Sequence, residues 1–253
     1  YAQCYNLYMR NNNYLSILNA CQNRGKVSVD ELVDILDLSP ATIRREIKRL
    51  AEDGLVERYH GGIKISQDNQ PLPFKQRVDL YKEEKCKIAK KAASFVKDNS
   101  IVLIDTGTTV AYIVDYLTAK NLLVFTNGIE IIKPLVKKKY HVNVPPGQIV
   151  QVSSTYIDFV QNLDYLDNFT FDVAFIGTNS IHPSLAFASQ TASHAAILRK
   201  MVSRAKKTYI LADHTKFGVL NRYTFANLNE CTIITDKMPE EEGFEDADII
   251  IAE

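Results

Sequence analysis

Strand-length aliphatic runs alternating with helical stretches constrain this chain most. Ile101–Ile104 and Leu122–Phe125 are followed by apolar runs near 141–144, 149–153, 171–176, 208–212, 231–235 and 248–252. Helical periodicity fills several of the gaps. Lys82–Lys97 turns Ile88, Ala92, Phe95 and Val96 to one side, and Val110, Ile113, Val114 and Leu117 form a second stripe. A third helix runs to about Lys138, and a fourth, over 193–205, turns Ala196, Ile197, Met201 and Ala205 inward. Strands alternating with helices predict a mainly parallel, doubly wound α/β sheet. None of these runs is long enough to span a bilayer, so no membrane partner is expected.

The chain opens differently. Tyr1–Asn13 is Tyr/Asn-rich and is set aside as a tag remnant or disordered end. Residues 14–65 read as a small domain, 66–73 as a linker carrying Pro71 and Pro73, and 74–253 as the larger sensing and oligomerisation domain. Tyr14, Leu15, Leu18 and Cys21 fall at helical spacing, and the helix stops at Arg24-Gly25. Ser28-Val29-Asp30-Glu31 fits a capping box opening a short helix over Leu32, Val33 and Leu36. A brief turn leads to Ser39-Pro40, a cap residue with proline at the first helical position. The next helix buries Ile43, Ile47 and Leu50 at i, i+4 and i+7 and stops at Gly54. Leu55–Tyr59 and Ile63–Ile65 then flank His60-Gly61-Gly62 as a hairpin. Helix, helix–turn–helix, hairpin is the order of a winged helix-turn-helix.

Thirty Lys+Arg balance thirty Asp+Glu, so the net charge is zero and a uniformly basic nucleic-acid coat is excluded. DNA affinity must come from a local patch. The third helix supplies one: Thr42, Arg44, Arg45, Lys48 and Arg49 lie opposite its apolar stripe, suited to the major groove and its flanking phosphates. Ser39 at the cap, and Tyr59 and His60 at the hairpin, complete the candidate DNA-binding set. Glu46, Glu52 and Asp53 share the helix and dilute the patch, and a solvated helix face is the plain alternative.

In the larger block, ligands are expected beyond the carboxyl ends of the strands. Asp105-Thr106-Gly107-Thr108-Thr109 offers a glycine, hydroxyls and helix-start amides. Thr126-Asn127-Gly128 is a similar turn, and Asp213-His214-Thr215-Lys216 adds a carboxylate and an ammonium. Together they suit a small polyol phosphate, with amides and Lys216 on the phosphate and Asp105 and Asp213 on hydroxyls. Helix capping and a plain Asp213–Lys216 ion pair are the competing readings. His182, His194 and His214 lack metal-ligand spacing and read as loop or surface residues. The four cysteines lie far apart, with no CxxC, and read as free thiols in a reducing cytosol. No metal and no cofactor are expected.

In order, Val27–Leu32, Leu38–Ile47, Gly54-Leu55-Val56 and Tyr59–Gly62 closely resemble the DNA-binding domain of DeoR-type bacterial transcriptional regulators. The resemblance continues through Phe74 and Arg77, Glu84-Lys85, Ile88-Ala89, Asp105–Thr109, Thr126-Asn127 and Ala212–Gly218. It implies a sensor domain similar to ribose-5-phosphate-type sugar-phosphate isomerases. Its pocket would be lined by Asp105, Gly107, Thr108, Thr109, Thr126, Asn127, Asp213 and Lys216. It further implies a dimer or tetramer on double-stranded operator DNA, a phosphorylated-sugar effector, and repression of sugar-metabolism genes rather than enzymatic turnover. A binder with a degenerate, ligand-blind sensor and an isomerase with a DNA-binding head are the rival readings. Three places depart from the family pattern: Pro145-Pro146-Gly147, Ser153–Asp158, and His194-Ala195 with Leu198-Arg199. A missing glycine closes backbone approach and a missing glutamate and lysine alter hydroxyl recognition, so the sugar end of the pocket is the altered end.

Overall fold

The structure is a computed structural model. It describes residues 13–14, 16–18, 20–21, 24–52, 56–65, 74–151 and 155–253. Tyr1–Pro71 and Leu72–Glu253 form two compact units. The 1–13 end (apart from residue 13), Leu15, Asp53 to Leu55, the linker at 66–73 and Ser153-Ser154 lie outside the described residues.

In the first unit, the described residues between 13 and 24 (α1) are helical and bury Tyr14, Ile17, Leu18 and Cys21. A strand the sequence did not announce follows, β1 (Lys26–Ser28), then α2 (Val29–Leu36). The capping box forms: Glu31 N donates to Ser28 Oγ at 3.1 Å and Ser28 N to Glu31 Oε2 at 2.7 Å. Asp37 takes a left-handed conformation to end α2. α3 (Pro40–Glu52) starts where Thr42 N donates to Ser39 Oγ at 3.2 Å, and buries Ile43, Ile47 and Leu50. β2 (Val56–Tyr59) and β3 (Gly62–Ile65) close the wing, with β3 between β1 and β2. Gly62 is compulsory there, because a Cβ would sit 2.3 Å from the Val27 carbonyl oxygen of the paired strand.

In the second unit α4 (Phe74–Arg77) and α5 (Lys82–Ala93) precede the sheet. β4 (Ile101–Ile104), α6 (Thr108–Ala111), α7 (Ile113–Tyr116), β5 (Leu123–Thr126), α8 (Ile129–Lys137) and β6 (His141–Asn143) make its first half. A hairpin follows, β7 (Gln148–Gln151) and β8 (Thr155–Asp158), then a 3-10 segment, Val160–Asn168. β9 (Val173–Gly177), β10 (Ser180–His182), β11 (Ala186–Ser189), α9 (Ala192–Ser203), β12 (Thr208–Leu211), β13 (Tyr223–Ala226), β14 (Thr232–Thr235) and β15 (Ile249–Ile251) complete the chain. The main sheet runs β15-β14-β12-β9-β4-β5-β6, with every pairing parallel.

Alternation of side chains loads both faces of this sheet, as buried parallel strands require. Leu103, Phe125, Ile176 and Ile210 join one core with α9 and the Val160–Asn168 segment. Val102, Ile104, Phe175 and Leu211 join the other with α5, α7 and α8.

Three expectations are corrected. The helix at Lys82 ends at Ala93 rather than near Lys97. The amides of Phe95 and Val96 bond three residues back, at 3.1 Å each, which tightens the last turn and lays Phe95 on Tyr209, ring centroids 4.7 Å apart. The helix over 193–205 buries Ala195, Ile197, Leu198 and Met201, while Ala196 and Ala205 are half-buried. Finally, β8, β10, β11 and β13 were not anticipated; β10-β11-β13 form a small antiparallel sheet of their own.

Candidate functional site

In the first unit, α3 presents Arg44, Arg45, Lys48 and Arg49 as exposed side chains. Glu46 does not dilute that face as expected: it is fully buried beside the apolar stripe, where Arg45 Nε reaches it at 3.0 Å and Arg49 Nη1 at 2.7 Å. Arg49 also lies over the Tyr14 ring at 5.2 Å, and Lys48 pairs with Glu52 at 3.7 Å. Ser39 is exposed; Thr42 is half-buried, its Oγ1 2.9 Å from Ser39 Oγ. His60 stands exposed at the hairpin tip, whereas Tyr59 is half-buried under the Lys26 ammonium, 4.2 Å from its ring centre.

The second unit brings its candidate loops to one edge by topology. From β4 the chain steps outward through β5 to β6, then crosses back and steps the other way through β9, β12, β14 and β15. The sheet therefore reverses direction between β4 and β9, and a crevice opens at the carboxyl ends of such a strand pair. Asp105 follows β4 there: its amide bonds the Phe175 carbonyl at 2.9 Å and its Oδ2 accepts from Gly177 N at 3.4 Å. Gly107 has φ +139, a conformation closed to side chains, and it turns the chain so that the amides of Thr108 and Thr109 head α6. Thr126 ends β5 and accepts from Gly128 N at 3.1 Å. Asp213 follows β12, two strands from β4.

Asp105, Thr106, Thr108, Thr109, Thr126, Asn127 and Asp213 are all buried. Burying so much polarity is costly unless it is hydrogen-bonded. Yet Asp105 Oδ1, Thr106 Oγ1, Asn127 Oδ1 and Nδ2, Glu130 Oε2, His194 Nε2 and Asp213 Oδ2 are buried without a hydrogen-bond partner among the described residues. Every one of these atoms belongs to the carboxyl-edge loops or to the first turn of an adjoining helix. Four are obligate acceptors and one an obligate donor.

Asp213 both caps and pairs: its Oδ1 accepts from Thr215 N at 3.1 Å and lies 3.9 Å from Lys216 Nζ. Burial pushes its carboxyl up, but Lys216, Lys85 and the Thr215 hydroxyl outweigh that and hold it below the usual range. Lys216 Nζ donates to Thr215 Oγ1 at 2.9 Å.

Four further residues reach this edge without having been among the candidates. His194, expected at the surface, sits in the first turn of α9 with Nε2 3.7 Å from Asp105 Oδ1 and Nδ1 3.0 Å from Ser189 Oγ. Tyr156 packs on its ring, centroids 5.0 Å apart. Glu130 accepts from Thr155 N at 3.4 Å. Lys85 is 4% exposed and donates to the Arg77 carbonyl at 2.7 Å; burial pushes its ammonium down to about 8 despite the nearby Asp213. One sequence signal pointed to Lys85: it shares the spacing of Ile88, Ala89 and Ala92, a lysine on an otherwise apolar stripe.

A family model described as the DeoR C terminal sensor domain matches residues 81–237, and one described as a DeoR-like helix-turn-helix domain matches residues 15–69. The chain belongs to the DeoR family. An HTH-type transcriptional regulator of Bacillus subtilis, FruR, is 30% identical over 88% of this chain and 90% of its own length. The glycerol-3-phosphate regulon repressor of Escherichia coli is 27% identical over 86% of each. The lactose phosphotransferase system repressor of Staphylococcus aureus is 26% identical over 90% of this chain and 92% of its own length. This DeoR-family member is a DNA-binding transcriptional regulator with a sensor domain. Ribose 5-phosphate isomerase from Plasmodium falciparum overlaps 53% of the chain and 52% of its own, at 16% identity and TM-score 0.40, a likeness too loose to carry an argument. Among the described residues no helix is long and apolar enough to cross a membrane.

Proposed function

We propose that this DeoR-family regulator represses sugar-metabolism genes and that a phosphorylated sugar, held where the sheet reverses direction, weakens its hold on operator DNA. In this reading residues 14–65 bind DNA, 66–73 link, and 74–253 sense and oligomerise, with the protein acting in the cytoplasm as a dimer or tetramer. Ser39, Thr42, Arg44, Arg45, Lys48, Arg49, Tyr59 and His60 serve the DNA side. The amides of Gly107, Thr108 and Thr109, with Lys216 and Lys85, take the phosphate. Asp105, Asp213, Asn127 and His194 take hydroxyls, and Thr126 holds the Asn127 turn through its bond to Gly128 N.

The observation carrying this is the set of buried polar atoms without partners at one strand edge. Unmatched acceptors call for donors, and sugar hydroxyls supply one each. Buried Lys85 and half-buried Lys216 beside them supply the counter-charge for an anion. Two of the relatives are named for a glycerol-phosphate regulon and a sugar phosphotransferase system, which fits. A degenerate sensor fits less well, because buried carboxylate oxygens left without hydrogen-bond partners are costly to a fold that gains nothing from them. Effector and operator then oppose each other reciprocally: whatever factor the sugar takes from DNA affinity, DNA takes from sugar affinity.

Fluorescence anisotropy on promoter DNA at fixed salt, titrated with phosphorylated sugars and their unphosphorylated parents, tests it. One phosphorylated sugar should shift the DNA curve while its parent does not, and Lys216→Ala should blunt the shift with operator affinity nearly intact. A protein that binds DNA and responds to nothing in such a panel would overturn the sensor assignment.

A further inference from the structure

The recognition helix carries an acid on its inward side. Glu46 lies among Ile43, Ile47 and Leu50, fully buried. A carboxylate in that setting persists only with charged partners, and both of its oxygens have one: Arg45 Nε on Oε1 at 3.0 Å and Arg49 Nη1 on Oε2 at 2.7 Å. Neither arginine is buried by the arrangement; their side chains remain 52% and 46% exposed. Each guanidinium is therefore held by one edge and offers the rest outward.

Which edge is held matters. At 100° per residue, Arg45 lies nearest the direction opposite Ile43, Ile47 and Leu50 of the four cations on α3, with Arg44 and Arg49 on opposite flanks. An unrestrained arginine can present either its Nε side or its Nη1/Nη2 end. Glu46 occupies Nε and leaves the Nη1/Nη2 end, two parallel N–H donors. That end matches the adjacent N7 and O6 acceptors that guanine shows in the major groove. Arg49 is held through Nη1, with Tyr14 beneath it, on the flank that faces a phosphate strand when α3 lies in the groove.

We infer that Glu46 is a positioning residue for sequence readout: it pins Arg45 by Nε so that its Nη end reads a guanine, and sets Arg49 aside for the backbone. The recognition helix thus divides its arginines between reading and anchoring through one buried carboxylate.

Selection of the full-length protein on a randomised duplex library at fixed salt tests this, comparing wild type with Arg45→Ala, Arg45→Lys, Arg44→Ala and Glu46→Gln. Arg45→Ala and Arg45→Lys should each lose a guanine preference at one position per half-site, by roughly ten- to a hundredfold. Arg44→Ala should keep it. Glu46→Gln preserves volume and removes the charge. It should relax that same position by about tenfold or more while affinity for random duplex is kept or raised, since the change removes a negative charge from the helix. Arg45→Lys tests the reading arginine alone; if Glu46→Gln compromises folding, Glu46→Asp carries the positioning test, since it keeps the charge but draws it back from Arg45 and should still relax that position. The inference is overturned if no guanine depends on Arg45, if Arg45→Lys retains the preference, or if a folded Glu46→Gln keeps it or weakens every position alike, as a merely structural role would.

Discussion

Replacing Lys85 by methionine should separate stability from sensing. The side chain is 4% exposed on α5, and its ammonium is pushed down from 10.5 to about 8, chiefly by burial. At about 1.4 kcal/mol per pH unit, that drop means that holding the charged form in the native state costs about 3 kcal/mol relative to water. The sign follows from proton counting. Between about pH 8 and 10.5 the unfolded chain keeps its Lys85 proton and the native one gives it up, so this residue makes stability rise with pH there. Below pH 8 the penalty is present in full. Methionine fills similar space without the charge, but it gives up the 2.7 Å bond to the Arg77 carbonyl and one of the counter-charges of buried Asp213. Those losses are of order 1–2 kcal/mol, so Lys85→Met should stabilise the sensor unit by about 1–2 kcal/mol at pH 7. By pH 10 most of that advantage should be gone. Urea unfolding followed by far-UV circular dichroism at the two pH values measures the difference, and calorimetry with the sugar phosphate that answers in the anisotropy panel should show at least a tenfold loss of affinity. A wild type minus Lys85→Met stability difference that stays constant from pH 7 to 10 would refute the reasoning.

Other outcomes follow from single contacts. Arg44→Ala should weaken operator binding about tenfold and leave effector binding by the free protein unchanged, read by anisotropy and calorimetry side by side. Gly62→Ala drives a methyl into the Val27 carbonyl and should destabilise the DNA-binding unit by more than about 2 kcal/mol, visible as loss of its melting transition while the sensor unit's is kept. The Asp236 hydrogen bond raises the His214 imidazole above 6.5, so its contribution is fully present below pH 6.5 and lost as pH rises through the raised value. His214→Gln should accordingly cost stability at pH 6 and little at pH 9, by thermal denaturation at the two pH values.

Local signals were the legible ones. The Ser28–Glu31 box, the Ser39-Pro40 start, the Ile43, Ile47, Leu50 stripe and the glycine-tipped hairpin each involve residues a few positions apart, and all formed. The strands of the parallel sheet announced themselves as unbroken runs rich in Ile, Val and Leu, most of them buried. Ala186–Ser189 and Ser180–His182 did not, because AFAS and SIH carry no aliphatic run, and they pair with each other and with Tyr223–Ala226. Residues of the carboxyl-edge loops were visible as turn chemistry, but their convergence with Lys85, Glu130, Tyr156 and His194 depends on strand order, which no local pattern encodes. His194 lies 89 positions from the Asp105 it faces. Glu46 differs: it shares the i, i+3, i+4, i+7 spacing of Ile43, Ile47 and Leu50, so its inward turn was open to periodicity, and what no local pattern encodes is that Arg45 and Arg49 both close on it.

The recognition helix arrives at DNA with much of its charge already matched. Arg45 and Arg49 share Glu46, Lys48 faces Glu52, and the chain as a whole carries no net charge. Duplex DNA rewards each phosphate contact by shedding condensed cations, so affinity for arbitrary sequence scales with the positive charge a protein brings. This helix brings little to spare. Its hold on non-target DNA is expected to be correspondingly weak and shallow in its salt dependence, which a salt titration on random duplex would show.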